Sequence, residues 1–269
     1  MNNKKGSLIK WAGSKARSAN QIIPHLNFDC QYIEPFCGSA TFFFRMQPAD
    51  SHLNDTNPAL ISFYEEVAAD PLLVWTYYSS IDVDEGTYYL KRREFNELEG
   101  GATKAALFLY LNHYGFNGLF RTNLKGELNT PFGARDKVKK KMSLDEILEF
   151  SAILKTTKFS CADFENFLEE LSPEGACIYM DPPYFTNDDR VFGEYGANTF
   201  KGRDLKRLLE VAERLAVASN TIAISYTDCT EFRELFGKYI VSEINVQRNV
   251  GGFAGRRKID KELVAVLAK

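Results

Sequence analysis

The sequence predicts an α/β fold, a mainly parallel sheet interrupted by a helical segment. Three stretches carry that expectation. The run Ala176 to Met180 is apolar and stops at Asp181-Pro182-Pro183-Tyr184, as a buried strand must where two prolines offer no N–H to a ladder. Gln31 to Phe36 reads as a strand, Cys37-Gly38-Ser39-Ala40 as a tight turn and Thr41 to Phe44 as the start of a helix. Together they form the front of a nucleotide-binding βαβ unit. From Pro58 to about Lys141 that rhythm gives way to helical patterns, which marks an insertion.

At the N-terminal end, Ser7 to Lys15 is a short apolar piece that turns at Gly13-Ser14, ahead of a helical pattern on Ile22, Ile23 and Leu26. Trp11 is either a core residue or, between Lys10 and Lys15 and next to a glycine turn, part of a grip on a zwitterionic or phosphorylated ligand. The turn around Gly38 has one glycine only, so it is not the G-x-G-x-x-G dinucleotide fingerprint. Ser51 to Asp55 ends a second strand. Asp55 falls near the place where an acidic side chain meets ribose hydroxyls, while Asn57-Pro58 just after it makes a helix N-cap a rival role.

Within the insertion, helical patterns cover Ala59 to Tyr64, Tyr88 to Leu98 and Lys104 to Asn112. Asn112 to Asn123 is the densest polar and aromatic segment, and Leu124 to Gly133 reads as a glycine-turn hairpin. On an exposed loop Phe116 and Leu119 would be apolar wedges, and Asn117, Arg121 and Asn123 are residue types that read base edges. The alternative is a turn that packs its aromatics inward.

The α/β rhythm resumes at about Leu144 with a helix to roughly Leu154, then a short strand from Thr157 toward Asp163-Phe164. That acidic-aromatic pair suits holding and stacking an adenine ring; Asp163 equally suits a helix cap. Asn187 to Asn198 is polar and aperiodic, as a loop over a site would be. Arg203 to Leu215 is an amphipathic helix and Thr221 to Ser225 a buried strand. Ile240 to Val250 and Ile259 to Leu267 read as paired strands joined by the basic loop Gly251 to Arg257.

Composition bounds the function classes. A chain of 269 residues with 45% hydrophobic content can bury a sizeable core in one large or two smaller domains. No apolar run approaches the ~18 residues of a membrane span, and the N-terminus leads into no signal-peptide core. Five scattered cysteines without a C-x-x-C pair argue for reduced thiols in a cytoplasmic setting and against zinc. Three widely separated histidines argue against a metal cage or a histidine triad, and no metal is expected. The net charge of -3 does not advertise nucleic acid. Basic runs at Lys137 and Lys139 to Lys141, at Arg256 to Lys258, and across Lys4, Lys5, Lys10, Lys15 and Arg17 are either solvated faces or local phosphate contacts.

Asp181 stands at the carboxyl end of its strand, where open α/β sheets place ligands. The prolines aim the Pro182 carbonyl, and Tyr184 adds a flat face. A carboxylate, an aimed acceptor and an aromatic plate suit gripping a planar group that carries an NH2. A rigid Asp-Pro turn without function is the bland alternative.

Four stretches then occur in a familiar order: Leu8 to Lys15, Glu34 to Ser39, Tyr114 to Asn123, and Asp181 to Tyr184. In that order and spacing the chain resembles the Dam-type DNA adenine methyltransferases, from about Ser7 to Leu267. The resemblance implies a Rossmann-like α/β methyltransferase sheet whose last strand runs antiparallel. Residues 1–57 and 142–269 would form the catalytic, cofactor-binding domain, and 58–141 an inserted helical target-recognition domain with a β-hairpin. It implies S-adenosylmethionine as methyl donor and double-stranded DNA as substrate, with GATC as target, base flipping, and no obligate protein partner. Asp181, Pro182, Pro183 and Tyr184 would be catalytic. Trp11, Lys15, Glu34, Phe36, Gly38, Asp55, Asp163, Phe164 and Asp181 would contact the cofactor. Lys10, Phe116, Asn117, Leu119, Arg121, Asn123, Pro131 and Arg135 would contact DNA.

The chain departs from the family pattern at Ser14, where a second glycine is usual, and at Phe116 and Thr122, where tyrosines are frequent. Ala134 also stands where an arginine commonly follows Gly133. The last three departures bear on the recognition sequence rather than on methyl transfer. Competing classes are a nicotinamide-dependent oxidoreductase, a methyltransferase acting on RNA or a protein amide, and a non-catalytic DNA-binding protein. The oxidoreductase leaves Asp181 to Tyr184 unexplained and the non-catalytic protein has no use for the intact motif; the RNA or amide methyltransferase is closer, although the amide enzymes typically carry Asn in place of Asp181.

Overall fold

The computed structural model describes residues 6–133, 140–184, 200–248 and 258–268. The expectations for Arg135, for the loop Asn187 to Asn198 and for the basic loop Gly251 to Arg257 lie outside the described residues.

The chain opens with α1 (Ala19–Ile22), which Pro24 converts at once into a 3-10 turn (Ile23–His25) because proline cannot continue the α-helical ladder. The alternation β1 (Tyr32–Glu34), α2 (Thr41–Met46), β2 (Ser51–Asn54) follows. Among the described residues, five helices then separate β2 from β3: α3 (Pro58–Ala69), α4 (Pro71–Ser80), α5 (Glu85–Glu97), α6 (Gly101–Tyr114) and α7 (Leu144–Leu154). The rhythm returns with β3 (Thr157–Ser160), α8 (Phe164–Leu171), β4 (Cys177–Met180), α9 (Gly202–Val217), β5 (Thr221–Thr227) and α10 (Thr230–Phe236). A hairpin of β6 (Ile240–Arg248) and β7 (Lys258–Leu267) ends the fold.

Local chemistry explains where the helices start. Asn57 caps α3 by accepting from the N–H groups of Ala59 and Leu60, with Pro58 at the first helical position. Ser143 and Glu146 form a reciprocal capping box on α7. In α9 the apolar residues Leu205, Leu208, Val211, Ala212 and Leu215 recur at helical spacing and are all buried.

Among the described residues, seven strands form one sheet in the order β3-β2-β1-β4-β5-β7-β6. The first five run parallel, and β7 is antiparallel to both β5 and β6. The strand order reverses between β1 and β4: the chain winds outward from β1 to β3, then returns to lay β4 against the other side of β1. A sheet of this kind opens a crevice at the carboxyl ends of the two strands that flank such a reversal.

Alternating residues of the central strands face opposite sides. Tyr32, Cys177, Tyr179 and Ala223 join α2, α3 and α6 in one apolar cluster. Ile33, Ile178, Met180, Ile222 and Ile224 join α8, α9 and α10 in the other. The first cluster continues without a break from the sheet to Phe108 and Tyr110 of α6 and Phe150 of α7. The inserted helices are therefore packed on the sheet face, not held apart from it. Among the described residues, no helix is long and apolar enough to cross a membrane.

Candidate active site

The turn after β1 and the Pro-Pro segment after β4 end side by side at the reversal point. Between them and the inserted helices lies a cavity of about 780 Å³. Trp11, Lys15, Glu34, Phe36, Gly38, Asp55, Asp181, Pro182, Pro183 and Tyr184 all line it. Residues far apart in the sequence thus converge on one chamber.

Asp181 is held from two sides. The Lys15 ammonium donates to both of its carboxylate oxygens at 2.7 Å, and the Ser225 hydroxyl donates to Oδ1 at 3.2 Å. Lys15 is 4% exposed, so this member of the basic N-terminal run is a buried counter-charge and not a solvated face. It also donates to the Tyr184 hydroxyl at 2.9 Å and to the Gly13 carbonyl at 3.0 Å. Burial pushes the Asp181 carboxyl above its usual range; Lys15 pulls it back and the nearby Glu262 pushes it further up.

Gly38 makes the opposite wall. Its φ of 45° lies in the left-handed region, and a Cβ there would stand 2.7 Å from Cδ1 of Trp11. Only glycine lets this turn and the indole approach so closely. The Gly38 N–H donates to Asp55 Oδ2 at 3.1 Å and the Asn57 N–H to Asp55 Oδ1 at 3.0 Å. The cap of α3 is Asn57, which leaves Asp55 facing the cavity. Burial raises the Asp55 carboxyl, against the pull of those N–H donors.

Glu34, at the end of β1, accepts from the Tyr32 hydroxyl at 2.8 Å and from the Phe43 N–H at 3.2 Å. Its carboxyl is pushed up to about 8 by burial, which those two donors only partly offset. Thr41 Oγ1 lies 3.0 Å from the hydroxyls of Ser7, Ser14 and Ser39, which ties the N-terminal turn to the turn around Gly38. Ser14, which replaces the more usual glycine, thus gains a partner.

Two expected cofactor residues stand apart. Asp163 caps α8 by accepting from Glu165 N–H at 3.0 Å and pairs with Arg207 at 2.7 Å. Phe164 is buried under the Arg207 guanidinium and packs against Phe36 at 5.2 Å between ring centroids. Neither lines the cavity; Phe36, which does, packs against Phe164.

Among the described residues, the segments expected to contact DNA are tied to one another, and Thr122, Lys125, Gly126 and Glu127 of the hairpin reach the cavity lining. Asn112 joins two of these segments: its side chain accepts from Lys10 N–H at 3.0 Å and donates to the Lys10 and Gly118 carbonyls. Phe116 is 44% exposed, and its N–H donates to the Pro131 carbonyl at 2.9 Å. Asn117 is exposed with a φ of 55°. Phe120 turns the other way and stacks on Trp11 and Phe108. Of the two aromatics in this segment, Phe116 is exposed and Phe120 packs inward. The hairpin forms, with Thr122 bridged to Leu128 and Gly126 at a φ of 80°. Arg121 Nε donates to Asn129 Oδ1 at 2.9 Å, which fixes the guanidinium plane. Asn123 accepts from the Lys125 and Glu127 N–H groups and so shapes the tip. Leu119 and Pro131 are half-buried in the same loop.

Sequence reasoning missed Tyr179, Ser225 and Glu262. The Tyr179 hydroxyl lies 2.7 Å from Ser225 Oγ, and Glu262 Oε1 accepts from the Tyr184 hydroxyl at 2.7 Å. The available signal was a carboxylate directly before the apolar run Leu263-Val264-Ala265 of β7.

A parallel-sheet crevice holding a carboxylate, an aromatic plate and a second acidic group at the neighbouring strand end fits the α/β methyltransferases. Residues 11–250 match the model of the D12 class N6 adenine-specific DNA methyltransferases. The chain is 32% identical to the DNA adenine methylase of Escherichia coli (strain K12), covering 98% of this chain and 95% of that protein. It is 31% identical to the Retron Ec67 DNA adenine methylase of Escherichia coli, over 97% and 90% of the two chains. Identity to the DNA adenine methylase of Vibrio cholerae (serotype O1, strain El Tor Inaba N16961) is 32%, over 98% and 96%. This chain belongs to the D12 class of N6 adenine-specific DNA methyltransferases, and its enzyme class is adenine-specific methylation of DNA.

Proposed function

We propose that the enzyme transfers a methyl group from S-adenosylmethionine to the exocyclic amine of adenine in double-stranded DNA, within GATC, on a base flipped out of the duplex. The observation that carries this reading is the Asp181 carboxylate at the reversal point of the sheet, beside the Tyr184 ring and open to the cavity that Asp55 and Gly38 share.

The cavity fits the donor. Its volume lies within the range of about 300–1,000 Å³ of small-molecule sites. The close approach at Gly38, the oriented Asp55 carboxylate and the flat wall of Phe36 suit the amino-acid end, the ribose hydroxyls and the purine respectively. When bound, S-adenosylmethionine supplies an electrophilic methyl group on a positively charged sulfur. Asp163 and Phe164 would act behind Phe36.

The protein's own part is positioning. Tyr184 stacks against the flipped base, and Asp181 and the Pro182 carbonyl accept the two N–H bonds of its amine. Those acceptors keep the nitrogen lone pair from delocalising into the ring, so it points at the methyl carbon. Orientation and fixed acceptors supply the rate enhancement, without a covalent enzyme intermediate. Unstacking the base costs a few kcal/mol, and Phe116, which is exposed, would fill the gap.

Residues 58–141 would read the target, and 1–57 with 142–269 would perform the transfer. Arg121 would recognise a guanine edge, Leu119 and Pro131 thymine methyls, and Lys10 the outer base pair, with Asn117, Asn123 and Arg135 beside them. The compartment would be the cytoplasm. The test is transfer of labelled methyl from S-adenosylmethionine to duplexes with and without GATC. N6-methyladenine in the first duplex alone supports the reading; label on another base, or on both duplexes equally, contradicts it.

A further inference from the structure

Glu262 lies on β7, in register with Thr227 of β5 and Ile244 of β6. Its side chain is 4% exposed. A buried carboxylate in a central strand is costly unless it is paired. Two contacts of Glu262 lie in the site: Oε1 accepts from the Tyr184 hydroxyl at 2.7 Å and lies 3.7 Å from the Lys15 ammonium.

Lys15 therefore sits between two carboxylates. It is closer to Asp181, where it faces both oxygens. Those oxygens are the acceptors that an incoming amine needs. A charge-assisted hydrogen bond is roughly twice as strong as a neutral one, so the amine competes poorly while Lys15 stays in place. A second carboxylate a short shift away gives the ammonium an equivalent partner. Without it, releasing Asp181 would strand a buried positive charge. The same Oε1 fixes the Tyr184 ring through its hydroxyl, so one side chain governs both the acceptor and the stacking plate.

We propose that Glu262 is a positioning residue for methyl transfer: it holds the Tyr184 ring in place and draws Lys15 from Asp181 as the adenine amine arrives. This rests on the adenine methylation proposed above. The groups that face Asp181 are Lys15 from the N-terminal turn, Glu262 from β7, Ser225 from β5, Tyr179 from β4 and Glu34 from β1. Glu262 is the one among them that adds negative charge while holding Tyr184. Its removal should lower the pH at which Asp181 takes up a proton.

The experiment compares full-length wild type with Glu262→Gln and Glu262→Asp in single-turnover methylation of a GATC duplex, across pH, alongside thermal melting and affinities for duplex and S-adenosylmethionine. In Glu262→Gln the expected rate falls about ten- to a hundredfold, the scale of one charge-assisted hydrogen bond. Affinities and melting temperature hold, and the acid limb of the rate profile moves to lower pH. Glu262→Asp, which keeps the charge, recovers part of the rate. A Gln variant with wild-type rate and an unmoved acid limb overturns the inference. So does a rate loss matched by lost melting temperature that the Asp variant does not relieve. A wild type that methylates no adenine overturns this inference and the proposed function together, whereas an active wild type with an indifferent Gln variant overturns this inference alone.

Discussion

Lys15 and Asp181, 166 residues apart in sequence, meet with the ammonium 2.7 Å from both carboxylate oxygens. One salt bridge thus joins the N-terminal turn to the carboxyl end of β4 and sets the charge at the centre of the site. In this buried setting the pair shapes a functional group more than it stabilises the fold, because desolvation offsets much of its attraction.

Replacing Asp181 tests that view. Asp181→Ala should abolish methylation while binding to duplex DNA survives, since Lys15 retains the Gly13 carbonyl, the Tyr184 hydroxyl and Glu262 as partners. Asp181→Asn, which keeps the shape, should be equally inactive. Methylation assays beside gel-shift titrations read both effects, and unchanged turnover in either variant would sink the catalytic assignment.

Gly38→Ala should weaken cofactor binding at least about tenfold. The new methyl would meet the Trp11 ring at 2.7 Å, and the left-handed backbone adds strain of about 1–3 kcal/mol. Calorimetric titration with S-adenosylmethionine measures this, and affinity equal to wild type would show that the turn does not approach the ligand.

Glu34 gives a pH-dependent prediction. Its carboxyl keeps its proton up to about 8 in the folded chain, mainly through burial, against an ordinary value of 4.5. Between those values the folded state binds more protons than the unfolded one, so this group's contribution to stability is greatest at low pH and is lost as pH rises toward 8. Glu34→Gln mimics the protonated form and should flatten that decline, raising stability most at pH 8 and above. Denaturant melts across pH would show it; parallel curves for the two proteins would contradict it.

Much of this was legible along the chain because it is local. The end of β4 is written in two prolines, α7 in its capping box and α9 in its stripe from Leu205 to Leu215. The turn around Gly38 and the loop after α6 follow from small residues in short stretches. What was not legible depends on the third dimension. Helix α4 exposes Leu72, Leu73 and Tyr77, so its apolar residues trace no single face, and its cap Asp70 before Pro71 was the better signal. Asp163 and Phe164 read as a ligand pair, with a helix cap as the other role for Asp163; the cap is present, and Arg207, distant in sequence, pairs with Asp163 and lies over Phe164. Glu262 looks like a surface charge until β7 is placed between β5 and β6.

Arg121→Ala should relax discrimination at one base pair by about 1–3 kcal/mol while general DNA affinity changes little. Asn129→Ala should act in the same direction but less, because it only frees the guanidinium that Asn129 holds at 2.9 Å. Competition among duplexes varied one pair at a time reads the effect. An unchanged sequence preference in the Arg121 variant would remove it from target reading.

The most direct measurement expresses the protein in a host that lacks adenine methylation and digests the host DNA with two GATC-cutting enzymes, one that requires the methyl group and one that it blocks. The DNA is expected to become sensitive to the first and resistant to the second, and the Asp181→Ala protein to leave both patterns unchanged. DNA that keeps its original sensitivity despite folded wild-type protein would contradict it.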